Sequence, residues 1–554
     1  MANGVATVRI EGRPYEIVPG TPLLEVLAVH DLDGGADPVV LGVVNGQRTY
    51  LNEPLWGDET VGLMRLSHPK SHSTIQRTLV TVLAMACEEL HPGHAIVVDF
   101  SYGDGMYCEL RRDAPLLAGE LAAIEARMRA IIAADRELKP VLYGPRALQR
   151  ALRDTSRRQS REAACYVPAG TTVYCRPEGS RLLLQGLHLP STAHAGAFAL
   201  LPEPPGFVLM SSRPGAPDAI QPFAPQPKLL AALKDHTAWT TRQEIPDLGS
   251  INRLVAEGRA GELIAICEAR HTRAVVGAAD RVAALPDDGR LVLVSGPSSS
   301  GKTTFAKQLA LMLRDHGLQP LSLSLDDFFV DREHTPRDSA GTFDYETIDA
   351  LRLDLLDDTL AGLLAGREMR LPRYDFHTGR SVWREVPATL PTGSPLIVEG
   401  IHALNARLAA DVPRRNTLRV YVSALTPTNI DDLTYMPTHL PRLFRRLVRD
   451  AQFRGYPAAT TLQRWNSVRE GEKKYIFPWQ SNADLFFNTG LPYELGVLKL
   501  WAEPRLAAVP LQDPAFGRAR GLLEFLGLHL PIDARLVPPT SLLREFIGES
   551  GFRY

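Results

Sequence analysis

The second half of this 554-residue chain predicts an α/β architecture, a mostly parallel sheet with helices on both faces, on three observations. The first is alternation. Runs at 291–294 (LVLV), 320–327 (PLSLSLDD), 394–401 (SPLIVEGI), 418–425 (LRVYVSAL) and 483–489 (ADLFFNT) read as strands, with helical stretches such as ETIDALRLDLLDDTLAGLLAG between them. The second is a glycine-bounded loop after the first strand. Residues 296–303, GPSSSGKT, fit G-x-x-x-x-G-K-[ST], and the following TTFAKQLALMLRD repeats Phe305, Leu309 and Leu313 on one helical face. The third is the placement of charge: Lys302 follows the first strand, Asp326 and Asp327 close the second, and Glu399 closes the third. Ligands bind at that carboxyl edge in sheets of this kind.

The chain is too long for one core, so three or four domains are expected. Lys plus Arg (61) nearly balance Asp plus Glu (63), so no global field recruits nucleic acid or an acidic membrane, and anion binding must come from local clusters. The five cysteines are scattered, with no CxxC pair, which predicts reduced thiols and no structural zinc. The start lacks the basic-then-apolar pattern of a signal peptide, and no apolar run approaches the ~18 residues needed to span a bilayer. A soluble, cytoplasmic protein with no membrane partner is expected.

The loop chemistry explains its residue types. Its glycines let backbone N–H groups curl around a phosphate at the positive end of the next helix. Gly296, Pro297, Ser298, Ser299, Ser300, Gly301, Lys302, Thr303 and Thr304 form the expected cradle for ATP; Lys302 would reach the β/γ oxygens and the Thr303 hydroxyl would ligate Mg²⁺. Farther on, HLPRLFRRLVRDAQFRG (439–455) sets Arg442, Arg446 and Arg449 at i, i+4, i+7 on one helical face. Beside a phosphate loop this predicts a lid that closes over the transferred phosphoryl group.

GPSSSGKTT, SLDDFF, TFDYE, LPRYDF, IVEGIH and RRLVRDAQFRG occur in the order and spacing of the uridine kinase and phosphoribulokinase group, which the chain resembles over about residues 285–505. PRYDFHTGR and REGEKKYIFP resemble a bacterial uridine-kinase-like branch with extra domains ahead of the kinase, and PPTSLLREFIGESGF, within the C-terminal segment 506–554, matches that branch's closing segment. The resemblance implies a P-loop kinase acting on the 5′-hydroxyl of a nucleoside, of uridine or cytidine type. It makes Asp326 the general base, with Asp327 on the opposite side of the strand. Asp344 would grip the ribose hydroxyls, Tyr374 would lie beside the base, and Arg446 would face the substrate. Arg449 and Arg454 would act with Lys302 on the phosphates, and Glu399 would stand near Mg²⁺ together with Thr303. Four positions depart from the group. Phe328–Phe329 replace an aromatic–polar pair, Gly379 falls where a base-reading histidine belongs (His377 lies two residues earlier), Tyr456 replaces an arginine, and Leu440 replaces an acidic residue. The phosphate chemistry is complete and the base pocket is altered. Two other readings stay open: a sugar-phosphate or other small-molecule kinase on the same scaffold, and an RNA-binding regulator switched by a nucleotide.

Ahead of the kinase, residues 1–66 predict a small β-grasp domain from short alternating strands, one helix and a glycine turn. They resemble the TGS domain that opens threonyl-tRNA synthetase. EELHPG and GDGMYCEL, within 86–110, resemble the start of that synthetase's α+β editing domain, here residues 67–228. The resemblance puts the editing site's metal-ligand positions on Arg77, Thr81, Leu184 and His188, and an arginine, a threonine and a leucine cannot hold a metal. An inactive editing-like domain is expected. HPKSH gives His68 and His72 a similar spacing, but too early and across a proline. Prolines across 201–228 predict a loop or linker, and 229–284 a helical bridge. The front modules are left with RNA binding, nucleotide sensing or assembly of a homo-oligomer as expected roles.

Overall fold

The computed structural model describes residues 5–153, 155–168, 172–180, 182–337, 341, 343–375, 378–425 and 428–554. Four packed layers follow one another along the chain. The first contains β1 (Ala6–Ile10), β2 (Arg13–Ile17), β3 (Thr21–Pro22), α1 (Leu23–Val29), β4 (Val39–Val44), β5 (Gln47–Thr49), β6 (Pro54–Leu55) and β7 (Thr60–Arg65). Its sheet runs β2-β1-β7-β4-β5, with β1 and β7 parallel. Alternate residues Val8, Ile10, Ile17 and Val61 turn inward onto Leu23, Val26 and Leu27 of α1.

The second layer holds α2 (His72–Leu90), β8 (Ile96–Tyr102), β9 (Gly105–Leu110), α3 (Ala118–Ala133), β10 (Leu138–Tyr143), α4 (Pro145–Leu152), α5 (Arg158–Ala163), β11 (Thr172–Pro177), β12 (Leu184–Gln185), β13 (Phe198–Glu203) and β14 (Gly206–Ser211). It forms a four-stranded sheet, β13-β14-β9-β8, and a three-stranded one, β10-β11-β12. Arg77 and Thr81 lie on α2, and Arg77 meets His188: its Nη1 donates to Leu187 O at 2.9 Å, and its charge, after burial, helps hold the His188 ring down at about 3. His188 Nδ1 is engaged by Gly186 O at 2.8 Å, and the Tyr50 hydroxyl from the first layer donates to the same carbonyl at 2.7 Å. His68 caps a short turn at Pro69–Ser71, and His72 is the first residue of α2. The proline-rich stretch 201–228 is not all linker. Its first part is the hairpin β13–β14, because GFVLMS buries every residue and the paired prolines occupy only the turn.

Three helices follow: α6 (Pro227–Arg242), α7 (Leu248–Ala256) and α8 (Ala260–Ala283). The last layer comprises β15 (Leu291–Ser295), α9 (Lys302–Asp315), β16 (Leu321–Ser324), α10 (Leu353–Leu364), β17 (Pro372–Asp375), β18 (Arg380–Trp383), β19 (Leu396–Glu399), β20 (Thr417–Ser423), α11 (His439–Phe453), α12 (Ala458–Gly471), β21 (Leu485–Asn488), α13 (Glu494–Ala507), α14 (Phe516–Gly527) and α15 (Arg544–Ile547). Five of its strands make a wholly parallel sheet, β16-β19-β15-β20-β21, with the strand before the phosphate loop at the centre. The two-residue period divides each strand between two cores. Val292, Val294, Ile397 and Val420 face α8 and α9, whereas Leu291, Leu293, Leu396 and Val398 face α6 and α10. That second core also takes Phe100, Tyr107 and Val208 from the four-stranded sheet, so the front half and the parallel sheet share one hydrophobic interior. Asp326 and Asp327 lie past the end of β16 in a 3₁₀ turn, Leu325–Phe328, and not on the strand. No helix among the described residues is long and apolar enough to cross a membrane.

A close backbone approach ties the first layer to α14. A methyl group placed on Gly517 would stand 2.0 Å from Gly46 O, and Gln47 Nε2 donates to Glu524 Oε1 at 3.2 Å beside it. Gly517→Leu should therefore cost about 1–3 kcal/mol and loosen residues 5–65 from the rest. Thermal unfolding with limited proteolysis checks this; wild-type behaviour in both would remove this contact from the account.

Candidate active site

The phosphate loop is a short crossing between β15 and α9, and its geometry demands its residues. A Cβ on Gly296 would lie 1.9 Å from Val422 O of the neighbouring strand, and Gly301 has φ +87°, the left-handed region open to glycine. Ser299 holds φ 56°. These left-handed dihedrals curl the loop, the kind of backbone from which an anion nest is built.

Around the loop the edge residues converge. Lys302 Nζ donates to Pro297 O at 3.1 Å. Glu399 Oε1 accepts from the Ser324 hydroxyl at 3.0 Å and faces the Thr303 hydroxyl at 3.4 Å, so one carboxylate ties the ends of β16 and β19 to α9. Burial, then the Asp326 charge, push Glu399 up to about 7. Asp326 opens into the cleft yet is crowded by protein; that desolvation raises its pKa, and Lys302 is the strongest charge opposing the rise. Burial lowers the Lys302 ammonium, with Glu399 and Asp326 opposing. Asp327 points elsewhere: its carboxylate binds Arg384 Nη2 at 2.7 Å and receives Tyr374 N at 3.4 Å. The two adjacent aspartates are therefore separated in role by the turn.

The arginine helix differs from the expected lid. α11 is a core helix, with Leu443, Phe444, Leu447 and Val448 buried, because its apolar residues alternate with the arginines at helical spacing. Arg442 is buried; its Nη1 donates to Ser298 O at 3.1 Å and its Nη2 to Glu472 Oε2 at 2.9 Å. Glu472 in turn accepts from Ser298 N at 3.2 Å, so an ion pair grips both backbone groups of one loop residue. Arg445, wholly buried, donates to Glu494 Oε2 at 2.7 Å and Thr489 O at 2.6 Å, and its Nη1 lies 3.5 Å from the carbonyls of Ser299 and Ser300. Arg446 Nη1 donates to Ser298 Oγ at 3.0 Å, which places it at the phosphate loop. Arg449 lies near the end of α11 and Arg454 just past it; Arg454 reaches Asp450 at 3.2 Å, and Arg449 lies 3.6 Å from Glu545 of α15. Burial and then Arg454 lower Arg449 to about 10. Glu545 also accepts from the Thr304 hydroxyl at 2.5 Å, with the Tyr554 hydroxyl 2.9 Å from Thr304 Oγ1. The closing segment thus sits on the first turn of α9.

On the acceptor side, Asp344 accepts from the Tyr475 hydroxyl at 2.7 Å and from Glu346 N at 3.1 Å. Tyr374 is buried in an aromatic cluster, 5.6 Å from the Phe329 ring, which itself lies 6.2 Å from Tyr345. Gly379 leaves its side-chain space to Arg332: a Cβ there would stand 2.7 Å from Arg332 Nε. Arg332 also stands beside the Tyr374 phenol. His377 lies outside the described residues. Sequence reasoning missed Glu346, which burial and then Glu472 raise to about 7 beside Arg446 and Asp326, and Glu545. Each sits inside a quoted motif, TFDYE or PPTSLLREFIGESGF, but no spacing rule points to it.

The loop suits nucleotide phosphates with a divalent cation. The Ser299 and Ser300 hydroxyls are buried without a hydrogen-bond partner among the described residues, and Glu399 stands beside the Thr303 and Ser324 hydroxyls with the Lys302 charge nearby. Unused donors around a lysine, and a carboxylate near two hydroxyls, match a polyanion accompanied by Mg²⁺.

Residues 291–493 match the phosphoribulokinase / uridine kinase family, and the chain carries a domain of that family. A uridine kinase from Lactobacillus helveticus is 28% identical over 204 residues, covering 36% of this chain and 86% of that protein. Uridine-cytidine kinase A of Dictyostelium discoideum is 26% identical over 258 residues, 46% of each chain. The N-terminal region matches threonine–tRNA ligases; that of Phenylobacterium zucineum is 29% identical over 163 residues, 29% of this chain. The chain spans 25% of that ligase and 46% of the Dictyostelium kinase.

Arg445→Ala would leave Glu494 buried without its counter-charge, and should destabilise the protein by about 3–5 kcal/mol. Denaturant unfolding followed by tryptophan fluorescence checks this, and an unshifted midpoint would show that the pair does not brace the loop.

Proposed function

We propose that this chain is a nucleoside kinase that transfers the γ-phosphate of ATP to the 5′-hydroxyl of a nucleoside, of pyrimidine type. The observation that carries the reading is the meeting of Lys302, Asp326 and Glu399 at one edge of a parallel sheet, directly beside a strained phosphate loop. ATP with Mg²⁺ would supply the phosphoryl group and offset its charge. The chain's own residues do the rest. The loop N–H groups and Lys302 bind the phosphate oxygens, and Thr303 and Glu399 are the groups to hold the cation. Arg449 leaves Glu545 to meet negative charge at the phosphates, with Arg454 following from the end of the helix and Arg446 already at Ser298. Asp326 takes the proton of the attacking hydroxyl. Its raised pKa makes it a better proton acceptor than an exposed carboxylate, and its position on the open cleft lets an acceptor reach it.

Asp344, anchored by Tyr475, is the group for the ribose hydroxyls, and the Tyr374–Phe329–Tyr345 cluster is the surface for the base. Arg332, in the space left by Gly379, presents only donors, which favours a base edge rich in carbonyl oxygens such as uracil. The division at 66, 228, 284 and 505 into β-grasp, editing-like, bridging, kinase and closing segments belongs to the same proposal. An inactive editing-like domain is part of it: Arg77 takes the place of a ligand, and His188 is buried and tied to Gly186 O.

Nucleoside-stimulated ADP release tests the mechanism. Lys302→Ala should lower turnover by about 10²–10³-fold. Asp326→Asn should lower kcat by about 10²–10⁴-fold with little change in ATP affinity. Asp327→Asn, which loosens Arg384 but keeps an oxygen for Tyr374 N, should stay within a few-fold of wild type. A larger loss for Asp327→Asn than for Asp326→Asn would overturn the assignment of the base.

A further inference from the structure

Residues 428–438, between β20 and α11, hydrogen-bond to the front half of the chain. β8 is one of the two edge strands of the four-stranded sheet, and an edge strand leaves backbone groups without partners. At Val98 both are taken up by this segment: Val98 N donates to Asp432 O at 2.8 Å, and Val98 O accepts from Asn429 Nδ2 at 3.1 Å. The Asp432 carboxylate is buried and accepts from Ser160 N at 2.8 Å and Ser160 Oγ at 2.9 Å on α5. Leu248 N at the start of α7 donates to Asn429 O at 2.8 Å. The segment holds its own shape through Asp431, which accepts from Leu433 N at 2.9 Å and Thr434 N at 2.8 Å.

Its side chains divide between two cores. Leu433 is buried in the core built on α2 and α3, and Tyr435 packs on that core beside Arg77, the residue standing where the resemblance puts an editing-site ligand. Met436, only three residues beyond Leu433, is buried with Leu443, Phe444 and Leu447 of α11. Six residues past Met436 comes Arg442, which grips Ser298.

We infer that the synthetase-like front half serves as a seat for the arginine helix, in which Asn429 and Asp432 are positioning residues that hold Arg442 and Arg445 against the phosphate loop. The rate consequence rests on the kinase reading; the mechanical one does not. α11 has to present two guanidinium groups to three consecutive loop carbonyls, and a shift of its first turn by an ångström would break those contacts. Val98 and Ser160 supply a rigid reference for that turn, from a sheet edge and a helix that perform no chemistry themselves.

The experiment compares full-length wild type, Asp432→Ala and Asp432→Asn by amide hydrogen exchange and by steady-state kinetics. Asp432→Ala should speed exchange in residues 439–453 while α3 and α9 stay protected, and should lower kcat about tenfold or more with a smaller change in KM for ATP. Asp432→Asn keeps an oxygen for Ser160 and should restore both. Unchanged exchange in 439–453, or faster exchange spread evenly over the whole chain, would overturn the inference. If Asp432→Ala fails to fold, Ser160→Ala removes one of the two donors and is read by the same criteria. Exchange needs no acceptor, so a protein that phosphorylates no nucleoside would sink the kinase reading while the exchange result still decides the seat.

Discussion

Two buried ion pairs, Arg442 with Glu472 and Arg445 with Glu494, hold the phosphate loop from behind, and the rest of the site depends on them. Ser299 in the left-handed region strains the loop, and the carbonyls of Ser298, Ser299 and Ser300 turn toward α11. The two guanidinium groups satisfy those outward carbonyls. A buried ion pair is a poor source of stability compared with apolar packing, so its value here is geometric. It keeps the nest formed before any ligand arrives, the condition under which fixed donors act most strongly on a developing charge. Glu472 adds a second grip through Ser298 N, and it does so from a π turn that continues α12, a local irregularity common where a side chain must be aimed.

This constraint divides the four arginines of α11 and Arg454, which caps its end. Arg442 and Arg445 are structural and hidden, whereas Arg446, Arg449 and Arg454 keep access to the cleft. The acidic partners of the second group are also telling. Asp450 holds Arg446 and Arg454, and Glu545 of the closing segment holds Arg449 while binding the hydroxyl of Thr304. One carboxylate, that of Glu545, thus meets both a P-loop threonine and Arg449. The chain's last residues are therefore part of the phosphate site's surroundings.

Much of this was legible in the sequence because it is local. GPSSSGKT, its flanking strand and helix, and the acids closing the second and third strands all follow from contiguous patterns, and the structure brings Lys302, Asp326 and Glu399 together. The separation of Asp326 from Asp327 was expected, but its cause is a 3₁₀ turn and not strand alternation. The pairing of Arg445 with Glu494 spans 49 residues and that of Arg442 with Glu472 spans 30, so a basic helical face looked like a lid when half of it is a brace. The hairpin β13–β14 was masked by Pro202 within its first strand and by the paired prolines of its turn. Nothing in the spacing of Asn429 or Asp432 points to Val98, more than three hundred residues earlier, because an edge strand's unpaired groups become visible only when the sheet order is known.

The central claim is that these parts move a phosphoryl group onto a nucleoside. The most direct measurement is ³¹P NMR of the full-length protein with ATP, Mg²⁺ and, in turn, ribonucleosides, deoxyribonucleosides and sugar phosphates. The account predicts a nucleoside 5′-monophosphate signal growing in step with ADP, strongest for a pyrimidine ribonucleoside. Phosphorylation confined to a sugar phosphate, or ADP with inorganic phosphate at a rate indifferent to every acceptor, would contradict it.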